Sequence, residues 1–130
     1  MADTILLQVV SPERMLVEEH ATEIQIPAAE GYIGVLPGHA PLMSALKPGV
    51  LTYLAEGREK VLAVYGGFVE VLPDQVRVLA DAAEHKEEIN VDDAREKLRK
   101  ATEAVQGENP AAAVAEMERA QARLDAATKQ

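Results

Sequence analysis

Hydrophobic and polar positions alternate along the first two-thirds of this chain, and then the period changes. Residues 4–10 are β-branched and aliphatic, and Glu23-Ile24-Gln25-Ile26 puts both isoleucines on one face of a strand. Residues 50–55 and 60–65 flank Glu56-Gly57-Arg58, which predicts a hairpin turn with glycine supplying the unusual φ. Residues 68–72 and 75–79 flank Pro73-Asp74 and predict a second hairpin. Short strands at this spacing predict an antiparallel β-sandwich, or flattened barrel. Tyr32, Tyr53, Tyr65 and Phe68 are the only aromatics, so the interior must be built from Val, Ile and Leu.

After Glu88 the period lengthens to about 3.6. Asn90 is placed to cap a helix, with Asp92 and Asp93 in the first turn favoured by the helix dipole. Ala94, Leu98, Ala101 and Val105 then share one face. Gly107 suits the end of that helix, Asn109 the cap of the next and Pro110 its first position. The second helix carries Val114, Met117 and Leu124 near one face, with alanines around them. The short connection predicts an antiparallel helical hairpin. The fold class is therefore α+β: a sandwich over residues 1–86, followed by a two-helix hairpin over residues 87–130. The hairpin seam is poor in large side chains, and each alanine contributes little beside a buried leucine, which is worth roughly 1.5–3 kcal/mol. Two readings follow: a marginally stable hairpin that docks elsewhere or rearranges, or an Ala-rich pair held permanently on the sandwich.

Residues 30–42, EGYIGVLPGHAPL, interrupt the strand pattern. Gly31, Gly34 and Gly38 can take positive φ or admit a close backbone approach. Pro37 and Pro41 remove backbone donors, so the segment cannot be a central strand. Locally it reads as a short strand between tight turns.

Composition narrows the function. The 130 residues are 48% hydrophobic and 27% charged, with no cysteine and a net charge of −9. Disulfides and thiolate metal sites are excluded, and the charge argues against nucleic acid. No apolar run is long enough to span a membrane, and the N-terminus has no secretory pattern. Residues 1–90 hold fourteen acidic and six basic side chains, whereas residues 91–130 hold eight and seven. The two modules therefore present different surfaces.

No catalytic set is legible and no metal site is predicted. His20, His39 and His85 are far apart, Ser11 and Ser44 lack a nucleophile-elbow context, and no phosphate-binding P-loop is present. His39, in a turn, reads as a hydrogen-bonded or interface residue more than a base. Asp92 and Arg95 stand at i, i+3, and Arg119 and Arg123 at i, i+4, so each pair shares a helix face. Such arginines could grip a triphosphate, or each pair could serve only intrahelical ion pairing.

Two segments carry a family likeness. EGYIGVLPGHAPLMSALKPGVL, residues 30–51, and VYGGFVEVLPDQVRVLADAAE, residues 64–84, closely resemble the signatures of the epsilon-subunit family of bacterial F-type ATP synthases. The order of sandwich then hairpin is similar too. The resemblance implies a non-catalytic subunit of the central stalk, at the cytoplasmic face of the bacterial membrane. Its partners would be the gamma subunit, the c-subunit ring and the alpha and beta subunits, and no cofactor would be required. It implies that Ala28, Ala29, Glu30, Gly31 and Tyr32 face the c ring, and that His39, Ala40, Pro41 and Leu42 lie near gamma. In this family an extended hairpin inhibits ATP hydrolysis. Arg119, Arg123 and Lys129 would then meet an acidic segment of beta. Some members bind ATP on the folded hairpin through an [IL]DxxRA motif. Asp92 and Arg95 match it, with Arg119 and Arg123 beside them, while Val91 stands at the first position and Glu96 replaces the alanine. A stand-alone ATP-sensing module is the alternative reading.

Overall fold

The computed structural model describes residues 3–107 and 110–130. Eight strands come first: β1 Ile5–Val10, β2 Met15–Ala21, β3 Glu23–Ala28, β4 Gly31–Val35, β5 Leu42–Ala55, β6 Arg58–Val71, β7 Gln75–Ala80 and β8 Ala83–His85. A 3-10 turn, Lys86–Glu88, leads into helices α1, Val91–Ala104, and α2, Pro110–Thr128. The sheet order is β2-β1-β7-β6-β5-β3-β4, with β8 paired to β6. Ile5, Leu7 and Val9 of β1 share one core with Ile24 and Ile26 of β3, although these strands lie far apart in that order. The sheet therefore folds over on itself as a sandwich. It stays open, because β2 and β4 end the order without pairing.

The sandwich is as the alternation predicts, with three departures besides the longer reach of β5, which begins at Leu42 rather than Val50. β1 pairs with β7 in parallel, so the sheet is not wholly antiparallel. β2 and β8 escaped the pattern. And residues 58–71 form one strand where the sequence predicts two. Glycines 66 and 67 take φ of 103° and 120°; the ladder to β5 skips Gly66 but resumes in the same register, Gly67 opposite Leu46 and Tyr65 opposite Pro48. They change which side chains face inward. Leu62 and Val64 enter the core before the pair, and Val69 and Val71 after it. A single-residue offset is enough to exchange the faces of a strand. At the same place β6 changes neighbours: Gly67 to Val71 pair with β7, and Leu62 to Val64 with β8.

The predicted hairpin turns are both present. Glu56 and Gly57 have φ of 54° and 76°, the two-residue turn whose twist matches antiparallel strands. Pro73-Asp74 joins β6 to β7, with the Leu72 N–H donating to the Gln75 carbonyl at 2.8 Å. β4 is an edge strand, in keeping with the prolines that follow it.

The helices lie folded on the outer side of β5 and β6. Ala94 and Ala126 pack with Val61, Ala63 and Ile89, flanked by Val50, Tyr65 and Leu124. Asn90 caps α1 as predicted, its Oδ1 accepting from the Asp93 N–H at 3.0 Å. Asn109, the expected cap of α2, lies outside the described residues. Ala113, Ala120, Ala122 and Ala126 are the buried residues of α2, while Val114, Met117 and Leu124 are half-buried. Small side chains let this helix sit close to its neighbours, at the expense of apolar area.

The linker is tied down separately. Arg14, just before β2, makes two hydrogen bonds to the Glu88 carboxylate at 2.7 and 2.9 Å, and the His85 N–H donates to it at 2.9 Å. The Arg14 guanidinium, with the His85 N–H second, holds the Glu88 carboxyl down at about 2, against an ordinary 4.5. A carboxyl whose pKa falls on folding stabilises fully above its unfolded value and loses that contribution as pH falls through the folded one. The tie is therefore expected to be complete above pH 4.5 and lost as pH approaches 2. Titration of the Glu88 side chain by NMR checks this; a midpoint at the ordinary value would mean that the Arg14 pair does not form.

Candidate functional site

Two surfaces stand out. The first is the outward side of the sheet near its β6–β7 turn. Register places Met15, Val10, Leu79, Phe68 and Ala45 in one row across β2, β1, β7, β6 and β5. Phe68 is 62% exposed, Leu79 52% and Met15 51%. Met43, 74% exposed, stands two residues along β5 from Ala45. Met43 apart, the next row is polar. Arg77 lies 3.8 Å from Glu70, and Gln8 donates to Glu18 at 3.0 Å. Exposed aromatic and aliphatic side chains in register are unusual on a sheet face with no partner.

Both predicted contact loops border this row. The β3–β4 turn consists of Ala29 and Glu30, and the Ala29 N–H donates to the Ala45 carbonyl at 2.9 Å. Ala28 is buried, whereas Glu30, Gly31 and Tyr32 are exposed. The Tyr32 hydroxyl nonetheless accepts from the Val50 N–H at 2.9 Å, which ties the loop to β5. In the next loop the Gly38 N–H donates to the Pro73 carbonyl at 2.8 Å. His39 Nδ1 sits 2.6 Å from the Ala40 carbonyl, so its ring is held within its own turn. Ala40, Pro41 and Leu42 are exposed beside it.

The second surface is a cleft of about 610 Å³ between the two helices, floored by Tyr65 and Glu84. Lys97, Lys100, Arg119 and Arg123 line it, with Glu116 as a further acid. The structure thus brings Arg119 and Arg123 together in one place. It does not bring Asp92 or Arg95 there. Arg95 projects roughly 160° around α1 from Lys97, and Asp92 roughly 140°. Both are exposed. Glu96 is engaged by Arg99 at 2.6 Å.

The cations of the cleft are not all free. Arg123 bonds Glu84 at 2.8 Å and Asp93 at 2.5 Å, and Lys97 lies 3.3 Å from Asp93. Arg123, and Lys97 after it, hold the Asp93 carboxyl below its ordinary value. Asp93 first, then Glu84, raise the Arg123 guanidinium further, against the opposing effect of burial. Burial, then the hydrogen bond to Glu84, pushes the Tyr65 hydroxyl up. Lys129 is also occupied, 3.5 Å from Glu59. Sequence reading missed Tyr65, Glu84, Lys97 and Lys100 as cleft residues, and Asp93 as the partner of Arg123, because their meeting depends on how the hairpin docks. It also missed Phe68 and Leu79. Their alternation with Val69 and Val78 was the available signal.

Among the described residues, no three His, Asp or Glu side chains are grouped to hold a metal ion, and no helix is long and apolar enough to cross a membrane. Comparison with known proteins is informative. A family model described as the beta-sandwich domain of the ATP synthase delta/epsilon chain matches residues 4–86. The ATP synthase epsilon chain of Solibacter usitatus is 52% identical over 133 residues, covering 99% of each chain. That of Koribacter versatilis is 46% identical over 110 residues, covering 85% of this chain and 78% of the relative. In the Euglena gracilis mitochondrial ATP synthase, solved as OSCP, F1 and c-ring, one chain superposes with a TM-score of 0.84 at 24% identity, over 93% of this chain and 79% of that one. A chain of the Tetrahymena thermophila central stalk and c-ring superposes at 0.63 and 14% identity, over 95% and 96%. At these identities the two structures speak for the fold.

Proposed function

This chain belongs to the epsilon-chain family of ATP synthases, and from that premise we propose that it is the non-catalytic stalk subunit joining gamma to the c ring. The observation that carries the reading is the exposed apolar row of Met15, Leu79 and Phe68, bordered by both contact loops. Gamma covers the row together with His39, Ala40, Pro41 and Leu42. The turn from Ala28 to Tyr32 meets the polar loops of the c ring. The subunit sits peripherally, on the cytoplasmic side of the membrane that holds the ring. The hairpin covers the other part of β5 and β6, so docking on gamma and release of the helices do not compete for one surface.

The hairpin is the regulatory part. Lifted from the sandwich, it reaches the catalytic head and slows ATP hydrolysis, with Arg119, Arg123 and Lys129 meeting acidic groups of beta. In the folded form Arg123 and Lys129 are paired within the chain, so extension exchanges internal carboxylates for those of a partner. A second reading, nucleotide sensing, is favoured by the four cations around the cleft. It is the weaker one, because Asp92 and Arg95 lie elsewhere and Arg123 is already paired.

Truncation after Glu88 tests the main reading. Reconstituted enzyme carrying residues 1–88 is expected to assemble and to couple proton flow normally, while ATP hydrolysis rises several-fold. Failure to assemble with gamma would remove the stalk role, and unchanged hydrolysis would remove the regulatory one.

A further inference from the structure

The folded hairpin converges on a single guanidinium. The Arg123 side chain on α2 is 17% exposed. Its Nε donates to Glu84 on β8 at 2.8 Å and its Nη1 to Asp93 on α1 at 2.5 Å. Tyr65 on β6 donates to the same Glu84 oxygen at 2.6 Å. Four elements therefore meet at one cation. The Glu84 bond docks α2 on the sandwich, and the Asp93 bond holds the two helices together. Between the helices the buried residues are alanines, which add little apolar area, whereas charge-assisted hydrogen bonds at a partly dried site are among the strong ones.

The two carboxylates occupy donors with which an arginine would grip a phosphate. We infer that Asp93 and Glu84 form with Arg123 an internal latch: the chain's own carboxylates stand where a polyanion would bind, and the hairpin stays folded with no nucleotide in the cleft. The inference rests on the reading above that the hairpin can leave the sandwich. Asp93 becomes the residue that decides whether this cleft needs a ligand. A phosphate brought to Arg123 would have to displace one carboxylate and lie beside the other, where like charges repel. Lys97, the other cation on Asp93, is more exposed and reaches it at 3.3 Å, so it supports the latch from outside.

Hydrogen exchange on the full chain tests this, with α2 amides as the readout. Asp93→Asn and Glu84→Gln are each expected to raise the opening constant of α2 about tenfold, and Arg123→Gln at least as much. In an Arg123→Gln background, Asp93→Asn should add no more than about twofold, since only the exposed Lys97 pair and the helix dipole remain for it to lose. Asp92→Asn is the control, since Asp92 shares the first turn and its dipole but stands away from Arg123; it should stay within about twofold. Millimolar MgATP should leave wild-type protection within about twofold. Equal effects of Asp92→Asn and Asp93→Asn, or additive effects of Asp93→Asn and Arg123→Gln, overturn the latch. So does protection that rises more than about tenfold with MgATP. Helix amides that exchange only with the whole sandwich, in every variant, overturn the latch and the mobile hairpin together. Local opening that ignores Asp93 overturns the latch alone.

Discussion

Gly67→Ala is expected to cost about 4 kcal/mol or more, the range reserved for severe core and backbone lesions. For a chain of this size that lowers Tm by roughly 10–20 °C. Two independent penalties add here. At φ 120° an L side chain is strained whatever the space around it. A Cβ at this position would also lie 2.1 Å from the Leu79 carbonyl oxygen and 2.9 Å from the Ala80 Cα. Both are backbone atoms of β7, so no rotamer change relieves the clash. Relief means parting β6 from β7, where Gly67 pairs with Ala80. Gly31→Ala is the internal comparison. It has φ 134° but nothing within 4 Å, so only the conformational penalty remains. Thermal melts by circular dichroism decide the matter. A Gly67→Ala melt within a few degrees of wild type would show that β6 and β7 part more cheaply than their pairing implies.

Phe68→Asp is expected to do the opposite: fold normally and fail to bind. Phe68 is 62% exposed and stands outside both core clusters, so its replacement should cost about 1 kcal/mol, the scale of strand propensity and its cross-strand pair, and leave the fold intact. If gamma covers this face as proposed, the same change buries a carboxylate within an apolar row. Aromatic residues at interface centres carry a large share of binding energy, and losing about 2.7 kcal/mol or more weakens association at least 100-fold. Leu79→Asp should behave alike, because Leu79 is directly opposite Phe68. Titration against a gamma-containing F1 subcomplex lacking its own epsilon chain measures this. Binding reduced less than about fivefold in both variants would place the gamma surface elsewhere.

These two residues, next to each other in sequence, show what was legible and what was not. The pattern around residues 68–79 announced a hairpin, and the turn at Pro73-Asp74 is where it should be. The glycines before it read as a break, because inward positions fall out of alternation there. Yet the strand continues, since glycine can absorb the offset while keeping its partner on β5. β2 was hidden for another reason. It lies at the sheet edge, so of its seven residues only Val17 and Ala21 are buried, and Glu18, Glu19 and His20 mask the alternation. The parallel pairing of β1 with β7 leaves no local trace at all. In the hairpin, the Asn90 cap and the inward face of α1 were written locally and came out as expected. The partners of Arg123 come from β8 and the other helix, and no spacing rule on α2 names them.

That parallel pair also sets the order in which the molecule can be made. β1 leaves the ribosome first, but the strand that holds it in the sheet, β7, is encoded some seventy residues later. Until then β1 and β2 form a two-stranded ribbon with one apolar side uncovered, too small to be stable alone. The sheet can close only when residue 80 is out, and contacts so distant along the chain are slow to find. Helices α1 and α2 are synthesised last and settle on the outer side of β5 and β6, which the closed sheet holds in place. Nascent chains stalled with β7 still inside the ribosome should therefore be protease-sensitive throughout, and those stalled after β7 has emerged resistant up to the linker.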